Sequence, residues 1–169
     1  IRYANPNDGK DVWKNRRETV VKYLADKDIF GLQEVTASQY EYLRENLSDF
    51  ATYGVGRDDG ERGGEHSPIF YRKERFEPLR RGTFWLSEQP EEVGESGWDA
   101  ALPRICTWMI LRDRNSGQEF CVANTHFDHR GNVARSESAK LLAERSGELP
   151  AEMPVVLMGD FNCQPGSDP

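Results

Sequence analysis

The sequence predicts an α/β (α+β) domain in which a mixed sheet carries helices on its outside. Three observations point there. Short apolar runs that read as strands alternate with amphipathic helical stretches. Residues 104–125 read as an antiparallel hairpin. The stretch V-V-L-M-G-D-F-N, Val155–Asn162, reads as a buried central strand that delivers polar residues at its C-terminal end. Open α/β sheets place their chemistry at that end.

Taken in order, Ile1–Ala4 reads as the end of a strand, and Asn5–Lys10 is a loop of turn residues. Val12–Asp26 is an amphipathic helix with Trp13, Val20, Val21 and Leu24 at helical spacing. Ile29–Val35 reads as a second buried strand carrying Gln33 and Glu34. Thr36 or Ser38 caps a helix running to Leu47, with Tyr40, Leu43 and Leu47 as its stripe. Phe50–Val55 is a further strand, and Gly56–Gly64 a polar, glycine-rich, mobile loop. Ser67–Tyr71 and Arg75–Phe84 read as adjacent strands. Leu86–Leu102 is a long surface connection, a length that suits a functional loop. Arg104–Arg112 and Glu119–Thr125 form the hairpin around Asn115, Ser116 and Gly117, Val133–Leu149 is a helix, and Cys163–Pro169 is a polar tail.

The chain has 169 residues, which suits one domain, 1–169. Its formal net charge of −7 argues against a broad basic surface for long duplex nucleic acid, but leaves room for a short phosphodiester. Cys106, Cys121 and Cys163 have no zinc-ligand spacing, so buried free thiols are the expectation for the first two. No apolar run reaches the length of a membrane span, and no stable membrane insertion is expected. Compartment and oligomeric state are left unassigned.

Several residues at strand ends carry chemical options. Glu34 ends an apolar strand, where a carboxylate needs an arginine partner or a metal ion. Asp160 and Asn162, two apart, share a side if the strand stays extended; alone, they equally form an ordinary polar turn. His126 and His129 have the H-x-x-H spacing of a chelating pair. His126 alone would serve as a general acid, and the pair would equally sit in a plain polar loop. Arg104 can clamp a phosphate with two parallel bonds, whereas Arg57 and Arg62 read as solvated surface. Glu65 can orient a histidine by accepting its ring N–H. There is no G-x-S-x-G elbow and no dinucleotide fingerprint.

In order along the chain, I-R-Y with W-K-N-R-R, G-L-Q-E-V, G-E-H-S-P-I-F-Y, P-R-I-C-T-W, N-T-H-F-D-H-R-G and G-D-F-N resemble the endonuclease/exonuclease/phosphatase superfamily. Its members include pancreatic-type deoxyribonucleases, abasic-site endonucleases, inositol-polyphosphate 5-phosphatases, sphingomyelinases and nocturnin-like deadenylases. The match is most similar to a bacterial branch near the nocturnin-like enzymes. The resemblance implies a four-layer α/β/β/α sandwich of the deoxyribonuclease-like type, incomplete in this chain. It implies Glu34 as the metal ligand and His126 as the histidine at the scissile phosphate or leaving oxygen. Asp160 would prepare the attacking water, and Asn162 would steady the phosphoryl oxygens. Arg104 would contact the phosphate, and Glu65 would orient the active-site histidine.

The asparagine that usually precedes the segment matching Ile1 is absent, as are the closing strands and S-D-H motif. The expectation is a chain cut at both ends, short of a full sandwich by roughly 80–100 residues and with an uncovered apolar sheet face. The implied activity is Mg²⁺- or Mn²⁺-dependent hydrolysis of a phosphoester, foremost a phosphodiester, by in-line attack of water. The substrate would be a nucleotide, short nucleic acid, sugar phosphate or lipid headgroup. The alternative is a catalytically incomplete binding module that keeps the fold.

Overall fold

The computed structural model describes residues 1–164 and Gly166; Pro165 and residues 167–169 of the expected polar tail lie outside them. After a 3₁₀ turn at Gly9–Asp11, the elements are α1 (Trp13–Leu24), β1 (Ile29–Gly31), α2 (Ala37–Asn46), β2 (Phe50–Tyr53), β3 (Ile69–Arg72), β4 (Phe76–Trp85), β5 (Ile105–Asp113), β6 (Glu119–His126), α3 (Asn132–Gly147) and β7 (Val155–Asp160).

The strands form two sheets rather than the single mixed sheet that alternation alone suggests. One is an antiparallel three-stranded sheet of order β1-β3-β2; the other has four strands in the order β4-β5-β6-β7. Among the described residues, only the β6–β7 pair is parallel. Strand alternation explains the layering, because successive side chains point to opposite faces. On β3, Phe70 packs outward with Leu24, Phe30, Leu43, Leu47 and Phe50 beneath α1 and α2. Its neighbours Ile69 and Tyr71 point inward with Phe76, Met109, Leu111 and Val122, between the sheets. On the far side Phe84, Cys106, Ala123 and Phe127 pack with Leu142 of α3. The result is the four-layer α/β/β/α order.

Several expectations need correction. Ser67–Tyr71 and Arg75–Phe84 are adjacent in sequence, but β3 and β4 belong to different sheets. Strand periodicity reports a buried face and says nothing about which neighbour is chosen. Ile1–Ala4 is irregular, and the strand expected to reach Val35 stops at Gly31. The Val155 strand is not central. It pairs with β6 on one side and is a sheet edge among the described residues, with Val155, Val156 and Leu157 about 40% exposed (39%, 47% and 42%). Both Cys106 and Cys121 are buried free thiols, as expected.

The two sheets are pinned by one buried amide. Asn124 on β6 is fully buried, and its Nδ2 donates to the carbonyl oxygens of Leu32 (2.9 Å) and Pro68 (3.0 Å) beside the other sheet. Its Oδ1 accepts from Gln33 Nε2 at 2.6 Å. Gly31 makes room for it: a Cβ there would lie 2.5 Å from the amide. Gly31→Ala should therefore cost about 2–4 kcal/mol through overpacking and lost buried hydrogen bonds. Urea unfolding checks this, and a loss below about 1 kcal/mol would show that the pin is dispensable.

Candidate active site

Every site residue lies at or just beyond a strand end on one side of the two sheets. Glu34 sits in the Leu32–Thr36 turn between β1 and α2. The turn is held from both flanks: Leu32 N–H donates to Pro68 (3.1 Å), and Val35 bridges to His66 in both directions. Gln39 caps the start of α2 by accepting the Thr36 N–H at 3.0 Å. Glu34 itself has φ of 59°. A non-glycine residue in the left-handed region costs roughly 1–2 kcal/mol and persists where surrounding contacts enforce it. One of its carboxylate oxygens accepts the Tyr3 N–H (3.1 Å); the other has no hydrogen bond among the described residues.

His126 and Asp160 end the parallel strands β6 and β7 in direct register. The Phe127 N–H donates to the Asp160 carbonyl at 2.9 Å, closing the ladder behind them. The imidazole Nε2 and an Asp160 oxygen are 4.0 Å apart, too far for a hydrogen bond. Asn162 does not share a face with Asp160 through strand alternation, because the strand ends first. Instead its backbone turns left-handed (φ 50°), its N–H donates to Asp160 Oδ1 (3.0 Å), and its Nδ2 donates to Phe127 O (2.9 Å).

Arg104 precedes β5 and is buried. Its Nε donates to Asp128 Oδ2 (3.2 Å) and its Nη2 to His129 Nδ1 (2.9 Å). Since a guanidinium only donates, His129 Nδ1 carries the lone pair. In this arrangement the His129 Nδ1 lone pair is taken up by Arg104. Asp128 was given no role by the sequence, yet it is the anchor of this corner. It is buried, and its Oδ1 accepts from the N–H groups of Arg130 and Gly131, both at 2.8 Å. Burial alone would raise its proton affinity, but these backbone bonds and Arg104 outweigh it and hold the carboxyl well below the usual range.

Glu65 does not take a histidine N–H. Its carboxylate accepts from Arg57 Nη1 at 2.7 Å. Arg57, expected to be solvated, has a side chain only 12% exposed, while Arg62 is 69% exposed and pairs with Glu41. The Asp128-x-x-Gly131 turn was a readable sign for Asp128, as aspartate commonly accepts from backbone two and three residues on. No sequence signal marks Arg57.

The His126 imidazole is pushed down to about 4, first by burial and then by the positive charge of Arg104, with Asp160 and Glu34 opposing and Arg57 assisting. These five groups therefore share one electrostatic environment. At neutral pH the ring is a neutral hydrogen-bond donor.

A family model for the endonuclease/exonuclease/phosphatase family matches residues 11–169. The chain belongs to this family. An endonuclease/exonuclease/phosphatase from Bacteroides vulgatus is 45% identical, with a TM-score of 0.97, over 99% of this chain and 65% of that one. The mannosyl-6-phosphatase of Bacteroides thetaiotaomicron is 43% identical with a TM-score of 0.94, again over 99% and 65%. Nocturnin of Drosophila melanogaster is 26% identical over 168 residues, 90% of this chain and 24% of that protein. The chain thus spans about a quarter of that nocturnin and just under two thirds of the two bacterial structures. The fold class is that of the family, and its members include phosphatases.

Because the folded His126 binds its proton below the ordinary value of 6.5, the unfolded chain holds more protons between about pH 6.5 and 4. Stability of the metal-free protein should therefore fall as pH drops through that window. His66, buried and shifted the same way, adds to it. NMR of the metal-free protein should find the His126 ring neutral at pH 5.5, and a midpoint near 6.5 would overturn the assignment.

Proposed function

We propose that this chain, as one domain over residues 1–169, is the catalytic unit of a divalent-metal-dependent phosphoester hydrolase. The observation that carries the reading is the convergence of Glu34, His126, Asp160, Asn162 and Arg104, two of them in strained left-handed backbone. Ordinary turns have no need of a left-handed glutamate.

The donor set fits a hard cation. Among the described residues no cluster of three or more His, Cys, Asp or Glu could close a cage around a metal. Mg²⁺ or Mn²⁺ held through one or two carboxylates, with water and substrate phosphate completing its shell, needs none. Glu34, with one carboxylate oxygen unengaged, is the ligand of choice. When bound, the ion polarises a phosphoryl oxygen and offsets charge in the transition state.

Asp160 accepts a proton from the attacking water as the water oxygen bonds to phosphorus and the bond to the leaving oxygen breaks. Its Oδ1 is already oriented by the Asn162 N–H. Arg104 Nη1 donates to a phosphoryl oxygen. The neutral His126 ring donates a hydrogen bond to the phosphate or the leaving oxygen, which then takes its proton from solvent. The Asn162 amide, held by Phe127 O, closes the phosphate side. As for substrate, the mannosyl-6-phosphatase relative supports a sugar phosphate, and the nocturnin likeness leaves room for a nucleotide or short nucleic acid. No helix among the described residues is long and apolar enough to cross a membrane.

Hydrolysis of monoester and diester model substrates by the full-length protein with Mg²⁺, Mn²⁺ or EDTA tests the proposal. Asp160→Asn should lower kcat about 10²- to 10⁴-fold, the usual worth of a positioned base. Glu34→Gln should raise the Mg²⁺ concentration needed for activity. Metal-independent turnover, or a near-normal Asp160→Asn variant, would sink the mechanism.

A further inference from the structure

The loop Gly56–Gly64 is built around an arginine that the mechanism does not use. It is not the loose segment its composition suggests. Asp59 Oδ1 accepts from the N–H groups of Glu61 and Gly63, both at 2.8 Å. Gly56 N–H donates to Glu61 O and Asp58 N–H to Gly63 O, each at 3.1 Å. The strands of the loop cross so closely that a Cβ on Gly56 would lie 2.1 Å from Gly63 O.

This framework places Arg57 beside Arg104. The end of β4 holds both: the Trp85 indole N–H donates to Arg57 O (2.7 Å), and the next backbone N–H, of Leu86, donates to Arg104 O (2.7 Å). Each guanidinium has a carboxylate on one side, Glu65 for Arg57 and Asp128 for Arg104. Arg57 Nε also lies 3.7 Å from Asp58, beyond hydrogen-bond range. Arg57 Nε and Arg104 Nη1 are buried and have no hydrogen-bond partner among the described residues. Arg57 is also the leading charge that lowers the proton affinity of Arg104, so the two cations feel each other. Each cation has its own carboxylate, but buried donors without a partner remain costly, and an anion bound at this corner would satisfy them.

We propose that Arg57 is a second phosphate-binding arginine and that, with Arg104, it selects a terminal phosphate, so that the preferred substrates are phosphomonoesters. This rests on the hydrolase reading above and narrows the diester expectation. A terminal phosphate offers three non-bridging oxygens and up to two charges. In a diester one of those oxygens is esterified, and the donor assigned to it loses an anionic partner. Glu65 and Asp128 act as positioning residues: each holds one nitrogen of its guanidinium, and each guanidinium keeps a buried nitrogen without a partner among the described residues.

The test compares kcat/KM for p-nitrophenyl phosphate and bis(p-nitrophenyl) phosphate in the parent, Arg57→Gln and Arg57→Lys proteins. Inorganic phosphate binding is measured alongside by calorimetry with Mg²⁺ present. The parent should prefer the monoester. Arg57→Gln should lower the monoester-to-diester ratio about 10- to 100-fold, the worth of one charge-assisted hydrogen bond. Arg57→Lys, which keeps the charge without the fork, should lower it less, and it carries the test if the glutamine variant does not fold. A diester preference in the parent, or an unchanged ratio in the variants, overturns the proposal. If the parent hydrolyses neither ester, the hydrolase reading fails, and phosphate titration decides the seat: Arg57-dependent binding supports it, and equal binding by all three proteins overturns it.

Discussion

The amide of Asn124 sets the distance on which the rest of the site depends. It stands on β6, two residues before His126, and bonds to Leu32 and Gln33, the two residues before Glu34. The proposed metal ligand and the proposed phosphate-facing histidine come from different sheets. One buried side chain spans that gap with three hydrogen bonds, and its orientation is determined because both amide N–H groups face carbonyl oxygens. A buried amide with all three bonds made is rigid; with one missing it would cost about 1–3 kcal/mol. The same residue explains Gly31, whose absent side chain is the space the amide occupies.

Against this pin the backbone can hold strain. Glu34 and Asn162 both adopt left-handed conformations, and each is held by hydrogen bonds around it. Glu34 lies between Leu32, tied to Pro68, and Val35, tied to His66. Asn162 is locked by its own bonds to Asp160 and Phe127. The bonds that hold this strain also fix where the Glu34 carboxylate and the Asn162 amide stand. Such preorganisation is the largest protein contribution available to a reaction that develops charge on phosphoryl oxygens.

The sequence carried the helices and the β5–β6 hairpin because each rests on local patterning: apolar periodicity, a capping hydroxyl at Thr36 and the turn around Gly117. The two-sheet division was not local. Ile69 and Phe76 both sit in the inner core, yet their strands have different neighbours, and that choice is made by contacts distant in sequence. The site showed the same split. Glu34, His126, Asp160, Asn162 and Arg104 were visible as polar residues at strand ends and in family motifs. Arg57 was not, because what distinguishes it from a surface charge is burial and partner, and Asp128 was legible only as the acceptor of its own turn. Glu65 was seen as a carboxylate with an orienting task, but its partner, Arg57, lay in a loop whose composition suggested solvent.

The acidic composition looks at odds with a phosphate site, and the resolution is a matter of range. Exposed charges are screened beyond about 8–10 Å at ordinary salt, whereas buried pairs are screened much less. The net −7 is therefore felt weakly around the buried His126. There the field is set by Arg57 and Arg104 against Asp160 and Glu34, and by the burial of the ring. Those arginines also help keep the histidine unprotonated, so it offers a hydrogen bond without a charge. A cationic histidine would repel a divalent cation at Glu34, and a neutral one does not. The cationic charge of the candidate site is thus concentrated on two guanidiniums that cannot release a proton, each aligned by its own carboxylate, while the titratable ring stays neutral above about pH 4.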